Sequence, residues 1–213
     1  MTAEARRLVL WRHGQTRWNL EDRFQGHTDV ELDETGQEQA VRAARLLAAL
    51  EPSTIVSSDL RRARDTAEEL SRLTGVPVKS DPRLRETFGG TWQGLTVREI
   101  RDLDAEAYAL WRSGADVPAG GAETRTDVAT RVRLAVLDAL ADVRPGETLV
   151  AVTHGGSARA AIGTLLDLPM DRWAVIGGLS NTCWSVLEEF GDGWRLVEHN
   201  AGSLPTPVMS DES

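Results

Sequence analysis

The sequence predicts an α/β protein: a three-layer α/β/α arrangement with a mostly parallel central sheet, a small helical lid and a C-terminal antiparallel hairpin. Three observations carry this. Short β-rich runs alternate with longer helical patterns along the chain. Leu149 to Thr153, LVAVT, is a continuous apolar run of the kind that a parallel strand covered on both faces requires. Further on, Cys183 to Phe190 and Trp194 to His199 flank Gly191-Asp192-Gly193, a hairpin signal that adds antiparallel strands.

The elements follow in order. Arg7 to Arg12 reads as the first strand. Thr35 and Glu38 form a Thr-x-x-Glu capping box for a helix whose apolar face is Ala40, Val41, Ala44, Leu47 and Ala48, and Pro52 ends it. Thr54 to Ser57 is the second strand, a helix runs from about Leu60 to Leu73 and stops at Gly75, and Val76 to Lys79 is the third strand. Thr96 with Glu99 caps a short helix, which Ala105 to Trp111 continues as a second. Phe88 to Thr124 is expected to be the lid. A long helix covers Thr126 to Asp142 before Pro145-Gly146, and another follows LVAVT from Ala158 to Leu166. The expected organisation is one domain over 1–200, with the lid at about 88–124. The polar, proline-broken 201–213 reads as a flexible tail.

Bulk chemistry narrows the function. A chain of 213 residues suits one domain with a proper core. Its net charge of -9 argues against nucleic acid or an anionic membrane surface as the main partner. A local arginine cluster can still hold a small anion against that global sign. With Cys183 as the one cysteine, no intramolecular disulfide or thiolate metal site is possible. MTAEARR lacks the apolar core of a signal peptide, and no apolar run reaches the ~18 residues of a membrane span, so a cytoplasmic protein is expected.

In a doubly wound sheet, ligands sit beyond the carboxyl ends of the strands. Arg12 and His13 follow the first strand, Arg62 starts the helix after the second, Glu86 lies in a loop soon after the third, and His154 follows LVAVT. Such a set suits phosphoryl transfer. Guanidinium forks match phosphate oxygens, and a neutral histidine with one nitrogen fixed leaves the other free as a nucleophile. Glutamate can protonate a leaving alkoxide, and arginines can stabilise charge without a metal. No cofactor is required by this chemistry.

The same residues lie in an ordered set of motifs. These are Leu10-Trp11-Arg12-His13-Gly14-Gln15-Thr16 with Asn19, Ser57-Ser58-Asp59-Leu60-Arg61-Arg62-Ala63-Arg64-Asp65-Thr66-Ala67, and Leu84-Arg85-Glu86 with Gly90-Thr91-Trp92-Gln93-Gly94. Gly121-Ala122-Glu123-Thr124 and Val152-Thr153-His154-Gly155-Gly156 complete it. The set resembles the histidine phosphatase superfamily, the phosphoglycerate-mutase-like proteins. That resemblance implies His13 as a nucleophile that becomes phosphohistidine and Glu86 as the proton donor. Arg12, Arg62 and His154 would complete the phosphate pocket, with Asn19, Gln25 and Gly155 as substrate contacts. Gly14 would let the backbone turn close to the phosphate. Gln93 stands where many members carry Glu, a change that touches a secondary contact.

Mutases of the superfamily carry a longer insertion after the acid, with a Glu-Arg-His-Tyr-Gly element. TFGGTWQGLTVREIRDLDAEAYALWRSGAD lacks it, so a phosphatase of a small phosphorylated metabolite is expected, with a mutase as the alternative. RRLVLWRHGQT, IVSSDLRRARDTA and Gly177-Gly178-Leu179-Ser180-Asn181-Thr182-Cys183-Trp184 are most similar to the phosphatases of glucosyl-3-phosphoglycerate. An inactive regulatory module of the same fold is the alternative from another class, and a homodimer is compatible with the relatives. His27 and His199 are expected to be surface or packing residues, and Arg61 and Arg64 a solvated helix face. Trp92 and Trp111 are candidates to line a pocket. Asp102-Leu103-Asp104 is expected to be exposed rather than a metal pair.

Overall fold

Side chains alternate along β1 (Arg7–Arg12) as the pleat requires. Leu8 and Leu10 enter one hydrophobic cluster, Val9 and Trp11 another. β4 (Thr148–Thr153) repeats the pattern, with Leu149 and Ala151 on the first side and Val150 and Val152 on the second. Both strands are thus covered on both faces, and each fully buried Leu or Val contributes roughly 1.5–3 kcal/mol. The computed structural model describes residues 5–202.

A one-turn helix, α1 (Arg17–Leu20), follows β1, and longer helices supply the covers. α5 (Arg125–Leu140) and α6 (Gly155–Leu165) pack on the first face; α2 (Glu34–Leu47) and α3 (Arg61–Thr74) pack on the second. The six strands lie in the order β3-β2-β4-β1-β5-β6. β2 (Thr54–Ser57) and β3 (Val78–Ser80) run parallel to β4 and β1, while β5 (Trp184–Phe190) pairs antiparallel with β1, and β6 (Gly193–Ala201) with β5. The expected three-layer α/β fold with its hairpin is therefore present. Gly191 takes a left-handed φ of 59° in the turn between β5 and β6. Among the described residues no helix is long and apolar enough to cross a membrane.

Several boundaries differ from expectation. α2 starts at Glu34, one residue before Thr35, because Asp33 is its cap and accepts from Gly36 N at 2.7 Å. β3 lies two residues later at its start, over Val78–Ser80, where it pairs with β2. β6 continues to Ala201; the rest of the expected tail, 203–213, lies outside the described residues.

The irregular middle is anchored by its own small core. α4 (Val97–Arg112) opens on the expected Thr96–Glu99 capping box and breaks at Asp104, whose φ of -156° is not helical. Asp104 Oδ1 caps the second half by accepting from Ala107 N at 2.9 Å, so two helical pieces meet there. Asp102 and Asp104 are exposed, as expected. Trp92, Ile100 and Ala119 form the buried cluster, with Phe24, Tyr108 and Trp111 packed against it.

Candidate active site

Strand register decides which residues meet. β1 and β4 pair Arg12 with Thr153, and β2 and β4 pair Ser57 with Val152. The next residue on each strand, His13, His154 and Ser58, therefore emerges at the same sheet edge. Two further main-chain bonds extend the ladder, His13 N to Thr153 O at 3.1 Å and Ser58 N to Val152 O at 2.9 Å.

His13 is buried, and its Nδ1 lies 2.7 Å from the Gly14 carbonyl. A carbonyl only accepts, so Nδ1 carries the proton and Nε2 keeps its lone pair. Burial pushes the His13 pKa well below the ordinary 6.5, and the Arg62 and Arg12 charges push it further, so the ring is neutral. The expected role of Gly14 is corrected: its φ is not left-handed, and a Cβ there would run into the Gly36 carbonyl at the start of α2. Glycine is needed for the approach of two main chains.

His154 sits with its ring centroid 5.1 Å from that of His13. Its Nδ1 accepts from Arg62 Nε at 3.3 Å, which leaves Nε2–H to donate to Ser58 Oγ at 3.0 Å. Burial, then Arg62, holds this imidazole neutral as well. Arg62 is fully buried and donates from Nη1 to Thr28 O and from Nη2 to Gly26 O, each at 2.8 Å. One hydrogen on each terminal nitrogen remains for a ligand. Burial lowers its pKa to about 10, so it stays charged at neutral pH. Arg12 donates Nη1 to Leu179 O at 2.6 Å, while its buried Nε has no partner.

Glu86 faces this group from the other side. Its Oε2 accepts from Gly156 N at 2.9 Å, and its Oε1 from Thr87 N at 2.8 Å and Ser157 N at 3.2 Å. These bonds explain why α6 begins at Gly155 rather than at Ala158. His154, at the cap position, offers no side-chain bond, and the Glu86 carboxylate supplies the cap from a distant loop. A Cβ on Gly156 would displace that carboxylate.

The acid loop is itself clamped through its carbonyls. Arg131 donates to Arg83 O, Arg85 O and Glu86 O at 2.8, 2.6 and 2.8 Å and forks onto Glu123. Thr153 Oγ1 donates to Leu84 O, Ser157 Oγ to Arg85 O, and His27 Nε2 to Glu86 O. His27, expected to be a surface or packing residue, does pack: its half-buried ring lies 5.0 Å from that of Phe88, and its Nε2 in addition holds the Glu86 carbonyl. Gln93 Oε1 accepts from His27 N at 2.6 Å, so it steadies the same loop. His199 is structural, between Ser185 Oγ and Gly177 O. Arg61 and Arg64 are engaged in exposed ion pairs, as expected.

Seven of the eight site residues expected from the sequence border one cavity of about 330 Å³; the eighth, His154, stands beside His13. Asn19 gives its Oδ1 to Thr16 and Asn181, leaving its amide NH2 for a ligand. Gln25 Oε1 is buried without a partner among the described residues, and Gly155 lies beside Arg12 at the helix start. Trp111 lines the cavity; Trp92 does not and serves the small core. The sequence reading missed His27, Arg131, Ser58 and Asn181, although Ser58 and Asn181 lay inside quoted motifs. Asn181 Nδ2 bonds His13 O at 3.1 Å.

A profile of the histidine phosphatase superfamily (branch 1) matches residues 8–202. The chain belongs to this superfamily. Among its histidine phosphatase relatives is the glucosyl-3-phosphoglycerate phosphatase of Mycobacterium tuberculosis, 47% identical over 93% of this chain and 96% of the relative. A metal-independent phosphoserine phosphatase of Arabidopsis thaliana is 38% identical over 92% of this chain and 84% of its own. The solved mycobacterial glucosyl-3-phosphoglycerate phosphatase in complex with VO3 superposes with a TM-score of 0.87 at 46% identity. It covers 92% of this chain and all of its own, 100%. The histidine phosphatase assignment, the fold and the phosphatase branch expected from the motifs agree with these relatives.

Proposed function

We propose that this histidine phosphatase hydrolyses glucosyl-3-phosphoglycerate through a phosphohistidine at His13. One observation carries the reading. In a buried pocket with two arginines and two imidazoles, His13 Nε2 is the ring nitrogen left without a partner among the described residues, while His154 has both nitrogens engaged. The identity to relatives named for that substrate supports the choice of ester.

The steps follow from the geometry. The phosphoryl group binds between Arg12, Arg62 and the two imidazoles. Nε2 of His13 attacks phosphorus as the bond to the ester oxygen breaks, and Glu86 gives its proton to the departing alkoxide. The Gly14 carbonyl keeps the Nδ1 proton in place while the ring gains positive character. Water then attacks the phosphohistidine, Glu86 takes back a proton, and phosphate leaves with His13 neutral again. The guanidinium forks stabilise charge on the equatorial oxygens throughout. Segment 88–124, which brings Trp111 and Arg112 to the cavity edge, acts as the lid in this reading. A cytoplasmic location and a homodimer belong to the same proposal, read by fractionation and sedimentation.

A phosphorus NMR time course tests it, with glucosyl-3-phosphoglycerate and 3-phosphoglycerate in one tube beside a His13→Ala control. Free phosphate mainly from the glucosylated ester, absent in the control, is the expected result. No phosphate from either, with 2-phosphoglycerate formed once bisphosphoglycerate is added, would show a mutase instead.

A further inference from the structure

Six arginines line the cavity, against one carboxylate, Glu86. Arg12 and Arg62 form the phosphate end, and Arg23 is neutralised by Glu21 and Glu99. Arg112, Arg125 and Arg159 remain. None of these three forms an ion pair among the described residues, although the chain carries an excess of acids. In a protein of net charge -9, three neighbouring cations left without counter-ions are a costly arrangement.

Arg125 and Arg159 are the informative pair. Both are half-buried, and the Nε of each is a buried donor without a partner among the described residues. Arg125 is the first residue of α5, where the helix dipole disfavours a cation. It lies over the Trp111 ring, 5.0 Å from the centroid, and spends one donor on Trp111 O at 2.6 Å. Burial lowers the Arg125 pKa, and the charge of Arg159 lowers it further, so the two guanidiniums stand close enough to repel. Asp116 lies near Arg125 but gives its carboxylate oxygens to Thr126 N and Oγ1. Arg159 sits one turn beyond Gly155 on α6, about 6 Å along the helix from the residue that flanks Arg12. Its Nη2 lies 3.6 Å from where a Cβ of Gly178 would stand, next to the Leu179 carbonyl that holds Arg12.

We propose that Arg125 and Arg159 form a second anion subsite that takes a carboxylate of the substrate while Arg12 and Arg62 hold its phosphate. This deepens, and rests on, the phosphatase reading. It names the substrate class as acidic phosphomonoesters, whose carboxyl carbon is separated from phosphorus by two carbons and an ester oxygen. A carboxylate there would relieve the repulsion between the two cations and satisfy both orphaned donors. Arg112, exposed at the end of α4, adds positive potential at the rim.

A matched substrate pair tests this. 3-Phosphoglycerate and glycerol 3-phosphate differ only in a carboxylate against a hydroxymethyl group. The ratio of their kcat/KM values is expected to fall about tenfold or more in Arg159→Gln and in Arg125→Gln, because a charge-assisted hydrogen bond is lost for one substrate alone. Arg159→Lys should keep part of the preference. Equal losses on both substrates, or an unchanged ratio, would overturn the subsite. Calorimetry gives the same ratio without turnover, comparing His13→Ala with His13→Ala/Arg159→Gln. If neither compound nor glucosyl-3-phosphoglycerate is hydrolysed yet the binding ratio falls, the subsite stands and the phosphatase reading fails. Hydrolysis with an unchanged binding ratio would have the reverse meaning.

Discussion

At the scale of single residues, ordinary effects acting together suit His13 to the proposed nucleophilic role: a carbonyl that fixes one proton, burial, and two nearby guanidiniums. The same environment has a thermodynamic consequence. Both buried imidazoles have folded-state pKa values below the unfolded value of 6.5, so below that pH the unfolded chain binds protons the folded one refuses. Their contribution to stability is complete above pH 6.5 and falls as pH drops beneath it, by up to about 1.4 kcal/mol per pH unit for each ring. Urea midpoints at pH 7.5 and 5.5 should therefore differ less in His13→Asn than in the unsubstituted protein; an equal difference in both would refute the argument. Arg131→Lys keeps the charge but loses the fork that spans three carbonyls, and is expected to cost roughly 1–3 kcal/mol and lower kcat about tenfold with a smaller effect on KM. Steady-state kinetics beside thermal melts checks this. His13, Arg12, Arg62, Glu86 and His154 were legible in the sequence because the chemistry proposed for them rests on their side chains, which lie in ordered motifs. His27, Arg131 and Asn181 were not. They act on main-chain carbonyls, which every residue possesses, so no complementary residue type marks their partners.

At the scale of elements, legibility followed the range of the capping interaction. Thr96–Glu99 and Gly75 are local signals and lie where the sequence placed them. The start of α6 was misplaced because its cap, Glu86, comes from a loop about 70 residues earlier. One carboxylate thus caps the helix and, in the proposed mechanism, also gives the proton, and the fit leaves no room for a methyl group. Gly156→Ala is predicted to lower kcat about 100-fold, since a displacement on the order of 1 Å at a catalytic group has that effect. The substitution should leave the far-UV circular dichroism unchanged, because alanine itself favours helix. Activity retained within a factor of two would show that the carboxylate can shift without loss.

At the scale of the whole molecule, the fold class was legible because alternation and the LVAVT run reflect burial on both sheet faces. The strand order was not, since periodicity says nothing about which strand lies beside which. The charge balance also acts at this scale. Within a chain of net charge -9, cationic groups are concentrated in one cavity, where arginines supply the positive potential that phosphoryl transfer requires. Excess EDTA is accordingly expected to leave kcat/KM unchanged, and a loss restored by a divalent cation would contradict this.

The position of β4 bears on how the protein is made. β1 and β2 are not neighbours; β4 lies between them and pairs with both, yet it is encoded some 90 residues after β2. During synthesis the N-terminal half therefore emerges with two apolar strands that have no shared partner. Their exposed edges persist until Thr148–Thr153 leaves the ribosome and inserts between them. Since His13 and Ser58 meet His154 only on insertion, closure of the sheet and assembly of the catalytic centre are one event.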